Sequence, residues 1–204
     1  MSYPTFYGEV ETITLKDPLA DFLGSFDDGI IKVKYINIVK FAGHSCPTVA
    51  GAYLITLEAL KALYPDSMPI RGEIKVAFKE PMEEGVAGVI ANVISNITGA
   101  TKTSGFKGLN GKFSRHSLMD FNAPISSSAR FTRVDTGTSV DVVYDPSGVP
   151  ANPNMQPLMQ KMMQKKASSD DKKQFALFWQ ERVKEILTNT KHYPSLIMVT
   201  ETYI

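Results

Sequence analysis

One cysteine, Cys46, follows two residues after a histidine in the run Gly43-His44-Ser45-Cys46-Pro47. An imidazole nitrogen and a sulfur on one short, flexible segment can converge on a single point, and a borderline-soft cation such as zinc accepts that pair. Pro47 suits the first turn of a helix, which places the cysteine sulfur among unpaired backbone N–H groups and favours the thiolate. Two donors do not complete a site, since structural zinc takes four protein ligands and catalytic zinc usually three plus water. The chain has only three histidines, and His116, in KFSRHSLMDF, is the preferred third metal ligand beside His44 and Cys46. His192 near the C-terminus, contributed by a partner chain, and Glu80 at the end of a strand are the remaining candidates.

The same residues admit other chemistry. A lone cysteine with a histidine as its base is the minimum for a thiolate nucleophile. A Cys-Pro dipeptide can ligate haem through sulfur, which makes a haem or cofactor carrier the remote alternative. Lys102, Lys107, Lys112 and Arg115, on a glycine-rich stretch, would draw a small anionic substrate toward such a centre, although a solvated loop face is their ordinary role. A buried cysteine acting as a small hydrophobe is the plainest reading of all.

Composition narrows the setting. The 204 residues carry 22 Lys and Arg against 21 Asp and Glu, so no global field points to nucleic acid or to an anionic membrane. No apolar run is long enough to cross a bilayer, and the N-terminus lacks a secretory pattern, so a cytoplasmic protein is expected. A single cysteine excludes an internal disulfide and a Cys-rich structural zinc site.

The elements that must position these groups follow from periodicity. Asp17-Pro18 opens a short helix ending near Gly24, and IIKVKYI after Asp28-Gly29 alternates as a half-buried strand. Apolar residues from Val49 to Leu63 recur at helical spacing, giving a helix over 47–64. IKVAFKEP reads as a strand, 85–97 as a helix, and the stretch Gly99 to Gly111 as a long loop of the kind that carries function. Residues 128–134 and 138–144 form a hairpin about Asp135-Thr136-Gly137. Beyond the Pro- and Asn-rich stretch at 150–154 lie two amphipathic helices, about 154–166 and 169–188, the second capped by Ser169 and Asp170.

The run Phe41-Ala-Gly-His44-Ser-Cys46-Pro47-Thr-Val-Ala-Gly51 resembles the Gly-His-x-Cys-Pro-Gly-x-x-x-Gly segment of the FmdE-like family of formylmethanofuran dehydrogenase proteins. The resemblance covers about 35–145, leaving the tail outside. Relatives characteristically carry Thr-Gly-Cys-Thr where this chain has Thr98-Gly99-Ala100-Thr101, and the Cys-rich ribbon of some relatives is replaced by the helical tail, which marks a divergent member. The resemblance implies an α+β fold, with a mixed or antiparallel sheet, helices packed on one face and a helical C-terminal tail. It also implies that the His-x-Cys-Pro turn forms a metal pocket. It does not imply the dehydrogenase reaction, which needs clusters that one cysteine cannot hold.

The expectation is therefore a metal-binding domain over 1–150 with a helical extension over 151–204. The protein would bind zinc and serve as an accessory to a redox or one-carbon enzyme. A homodimer is expected through the surplus apolar surface of the two tail helices.

Overall fold

The computed structural model describes residues 3–202. Its elements in chain order are β1 (Ile13–Lys16), α1 (Pro18–Phe22), β2 (Ile30–Val33), α2 (Tyr35–Ala42), α3 (Pro47–Leu63), β3 (Ile74–Ala77) and α4 (Ala87–Thr98). There follow β4 (Met119–Asp120), β5 (Ala129–Arg133), β6 (Ser139–Tyr144), α5 (Met155–Met163), α6 (Ser169–Thr188) and β7 (Ile197–Thr202). β1 and β2 form an antiparallel pair, and a second sheet has the order β4-β3-β5-β6-β7, antiparallel except where β3 meets β4. The fold is α+β with a mixed sheet, as expected.

Local chemistry explains most boundaries. Asp17 caps α1 by accepting from the N–H groups of Leu19 and Ala20, and Pro18 needs no donor in the first turn. The strand expected over IIKVKYI stops at Val33, because Asn37 accepts from the Lys34 N–H at 2.8 Å and starts α2 at Tyr35. The alternation of the sequence gives no sign of that helix. Ser168, rather than Ser169 or Asp170, caps α6: its hydroxyl accepts from the Asp171 N–H while the Asp171 carboxylate accepts from the Ser168 N–H. Three capping residues stand in a row there, and the reciprocal bond three positions on selects the first.

α3 is the centre of the molecule. It packs on β5, β6 and β7 and is flanked by α4 and α6. Val49, Ala52, Tyr53, Ile55, Ala59, Leu60 and Leu63 are all buried, so it is apolar on nearly every side, as a helix enclosed by neighbours must be. The tail is built into this core. Val183, Ile186 and Leu187 of α6 join the same cluster as Leu15, Tyr53 and Phe131. The tail also ends in a strand instead of remaining helical: β7 pairs with β6 along its whole length, and Thr202 donates to Asp141 at 3.2 Å. The β-branched residues of IMVTET suit an edge strand, a signal that a purely helical tail leaves out of account.

Candidate metal centre

Gly43 ends α2 in the left-handed region, at φ 78°, and its N–H closes on the Val39 carbonyl. This reversal delivers His44, Ser45 and Cys46 to the start of α3. His44 is exposed, with Nδ1 3.0 Å from the Ala42 carbonyl oxygen. A carbonyl only accepts, so Nδ1 carries the proton and the neutral ring keeps its lone pair on Nε2, the tautomer a metal-ligating histidine adopts. Cys46 is half-buried and caps α3, its sulfur accepting from the Val49 N–H at 3.4 Å.

The turn is clamped on all sides. The buried Ser45 hydroxyl is 2.8 Å from the Tyr35 hydroxyl, and the Ser45 carbonyl accepts from Trp179 Nε1 at 3.0 Å and Gln180 Nε2 at 3.2 Å. Tyr7 in turn donates to Gln180 at 3.1 Å. On the other side Tyr144 donates to the Pro47 carbonyl at 2.7 Å. The ring of Tyr144 occupies the space beside Gly51, where a Cβ would come within 2.3 Å of it. Gly51 is thus part of the turn's architecture. Burial pushes the Tyr35 and Tyr144 phenols above their ordinary range, and the neighbouring Cys46 adds in the same direction, so both stay protonated at neutral pH.

Beside the turn, between the starts of α3 and α4, opens a cavity of about 360 Å³ lined by Pro47, Thr48, Phe78, Glu80, Val86 and Tyr144, among others. Glu84 stands at the same cavity, so its charges are carboxylates.

Of the other candidate ligands, Glu80 lines the cavity beside the turn, while the two remaining histidines sit on other segments. His116 lies beside the start of the glycine-rich loop, where the Thr101 N–H donates to the Arg115 carbonyl and the Ser117 N–H to the Lys102 carbonyl. His116 bonds its neighbour Ser117 at 2.9 Å. His192 is exposed in a turn after α6, and the eight helical residues from Gln180 to Thr188 alone rise roughly 12 Å. Among the described residues no three His, Cys, Asp or Glu side chains come together to hold a metal ion. The chain brings two donors to the turn, short of the three or four protein ligands that zinc takes.

Arg115 is not a free loop cation. It is buried against the equally buried Asp17 at 2.6 Å, and Arg71 takes the other carboxylate oxygen at 2.9 Å while also donating to the carbonyls of Asn96 and Ile97. This triad fastens α1 and the glycine-rich loop to the end of α4. Burial works against the Asp17 carboxylate, but the bond from Arg71 and the charge of Arg115 outweigh it and hold its pKa below the usual range. Lys102 lies over the Phe121 ring at 5.5 Å.

The family profile described as "FmdE, Molybdenum formylmethanofuran dehydrogenase operon" matches residues 41–193, most of the chain. The chain belongs to the FmdE family. The match runs past residue 145 and through both tail helices, so α6, which clamps the His-x-Cys-Pro turn of this FmdE-family chain, lies inside it. No curated protein matches the chain in sequence. No helix among the described residues is long and apolar enough to cross a membrane.

Tyr35, Tyr144, Trp179 and Gln180 join the site only through the fold, and the sequence alone does not assign them to it. Trp179 is the one tryptophan of the chain, and its N–H needs a partner when buried, which is the signal the sequence does carry.

Proposed function

We propose that this FmdE-family protein binds a transition metal, zinc foremost, through His44 Nε2 and Cys46 Sγ, and acts as an accessory to a redox or one-carbon enzyme. The observation that carries the metal reading is the bond from His44 Nδ1 to the Ala42 carbonyl, which leaves the outward nitrogen free to ligate. The N–H of Val49 aimed at the sulfur is a second partner of the kind that orients metal ligands. With two donors at the turn, water, a substrate or a second protein supplies the remaining positions, which suits delivery or docking better than a closed structural centre. The accessory role draws on the operon in the family's description.

The test is metal analysis of protein purified without added metal, repeated on His44→Ala and Cys46→Ala. Zinc retained by the parent and lost from both variants supports the proposal; a parent without affinity for zinc refutes it.

A second reading, an enzyme acting on a small molecule, draws on the cavity beside Pro47. Its carboxylates, Glu80 and Glu84, favour a neutral or cationic ligand over an anionic one.

A further inference from the structure

The cavity between the starts of α3 and α4 holds about 360 Å³, at the small end of the roughly 300–1,000 Å³ that ligand pockets span. Much of its wall is apolar. Phe78, Ala87 and Ile90 are buried residues of the core that line it, and Phe121 stacks on the Phe78 ring at 5.1 Å and backs that side. Tyr144 spends its hydroxyl on the Pro47 carbonyl and so offers the cavity no free donor. Such a space takes an apolar body of modest size, and what fixes its orientation is the small set of polar groups at its edge.

The charges at that edge point to the occupant. Glu80 and Glu84 are both exposed, which puts their carboxylates at the mouth, and no Lys, Arg or His shares the lining with them. Phe78 and Glu80 face the cavity while Lys79 between them does not, as the alternation of an extended segment requires. Among the described residues neither carboxylate forms an ion pair. The starts of α3 and α4 contribute about half a positive charge each, and two full carboxylates outweigh them. An anionic ligand would therefore be repelled at the mouth, whereas a cation would find two unneutralised partners there.

We propose that this cavity binds a small amine, its ammonium group against the carboxylates of Glu80 and Glu84 and its apolar or aromatic body against Phe78, Val86 and Ile90. The inference rests on the cavity being a small-molecule site and not on metal at His44 and Cys46.

Backbone-amide NMR of the isotope-labelled full chain tests it, with three probes that share one body: phenethylamine, phenethyl alcohol and hydrocinnamate. At neutral pH the amine shifts the amides of Thr48, Ala87 and Ser128, the alcohol binds about tenfold more weakly, the worth of one charge-assisted bond, and hydrocinnamate leaves them unmoved. In the variant Glu80→Gln with Glu84→Gln, which changes exposed side chains and keeps the amide spectrum of the folded chain, the amine falls to the affinity of the alcohol. Alcohol or hydrocinnamate bound at those amides as tightly as the amine would keep the cavity as a small-molecule site and overturn the amine assignment, as would an amine whose affinity is unchanged in the double variant. If none of the three probes moves those amides, the cavity is not a ligand site and the amine proposal falls with it.

Discussion

Trp179 donates from its indole N–H to the Ser45 carbonyl at 3.0 Å, joining residues that lie 134 positions apart. The bond places α6 directly behind the two candidate metal donors, with Gln180 donating to the same oxygen at 3.2 Å. The tail therefore orients the turn as well as closing the core.

Trp179→Phe keeps most of the apolar ring and removes the donor. The expected cost is about 1 kcal/mol in urea denaturation, the usual net value of one such bond. Zinc affinity of the same variant should fall, because the turn loses a positioning partner while both donors remain. Unchanged affinity in a measurably destabilised variant would separate α6 from the site.

Gly51→Ala drives a methyl into the Tyr144 ring, since the Cβ would lie 2.3 Å from it. Overpacking of this kind costs roughly 1–3 kcal/mol. In a Tyr144→Ala background the same change should cost much less, and a double-mutant cycle reads the coupling. Equal costs in the two backgrounds would show that Tyr144 is not what excludes a side chain at position 51.

Asp17→Asn leaves an acceptor to cap α1 but strips the charge shared by Arg71 and Arg115. Breaking a buried pair on one side costs about 3 kcal/mol or more. The pH dependence follows from the direction of the shift: Asp17 in the folded chain titrates below its ordinary value of 3.8. Its contribution is present in full above that value and is lost as pH falls through the lower folded pKa. The stability gap between parent and Asp17→Asn, followed by denaturation at several pH values, should be widest near neutrality and close in acid. A gap independent of pH would contradict the triad's electrostatic role.

Much of this is legible in the sequence because it is local. Asp17-Pro18, the helical spacing from Val49 to Leu63 and the turn Asp135-Thr136-Gly137 each act within a few residues, and each appears where expected. α2 is hidden because its first residues continue the alternation of the strand before it, and only the Asn37 side chain marks the change. His44 and Cys46 are readable as a pair because they share one short turn after Gly43. What surrounds them is not, because Tyr35, Tyr144 and Trp179 reach the turn from three separate elements by tertiary packing. His116 is singled out in the sequence by elimination among three histidines, and backbone bonds of its neighbours Arg115 and Ser117 to Thr101 and Lys102 hold it beside the start of the glycine-rich loop.

X-ray absorption at the zinc edge of the loaded protein tests the central claim most directly. One sulfur at about 2.3 Å and at least one imidazole nitrogen at about 2.0 Å are predicted around the metal, the sulfur disappearing in Cys46→Ala and an imidazole in His44→Ala. Oxygen and nitrogen neighbours alone in the parent, or a sulfur that survives Cys46→Ala, would contradict it.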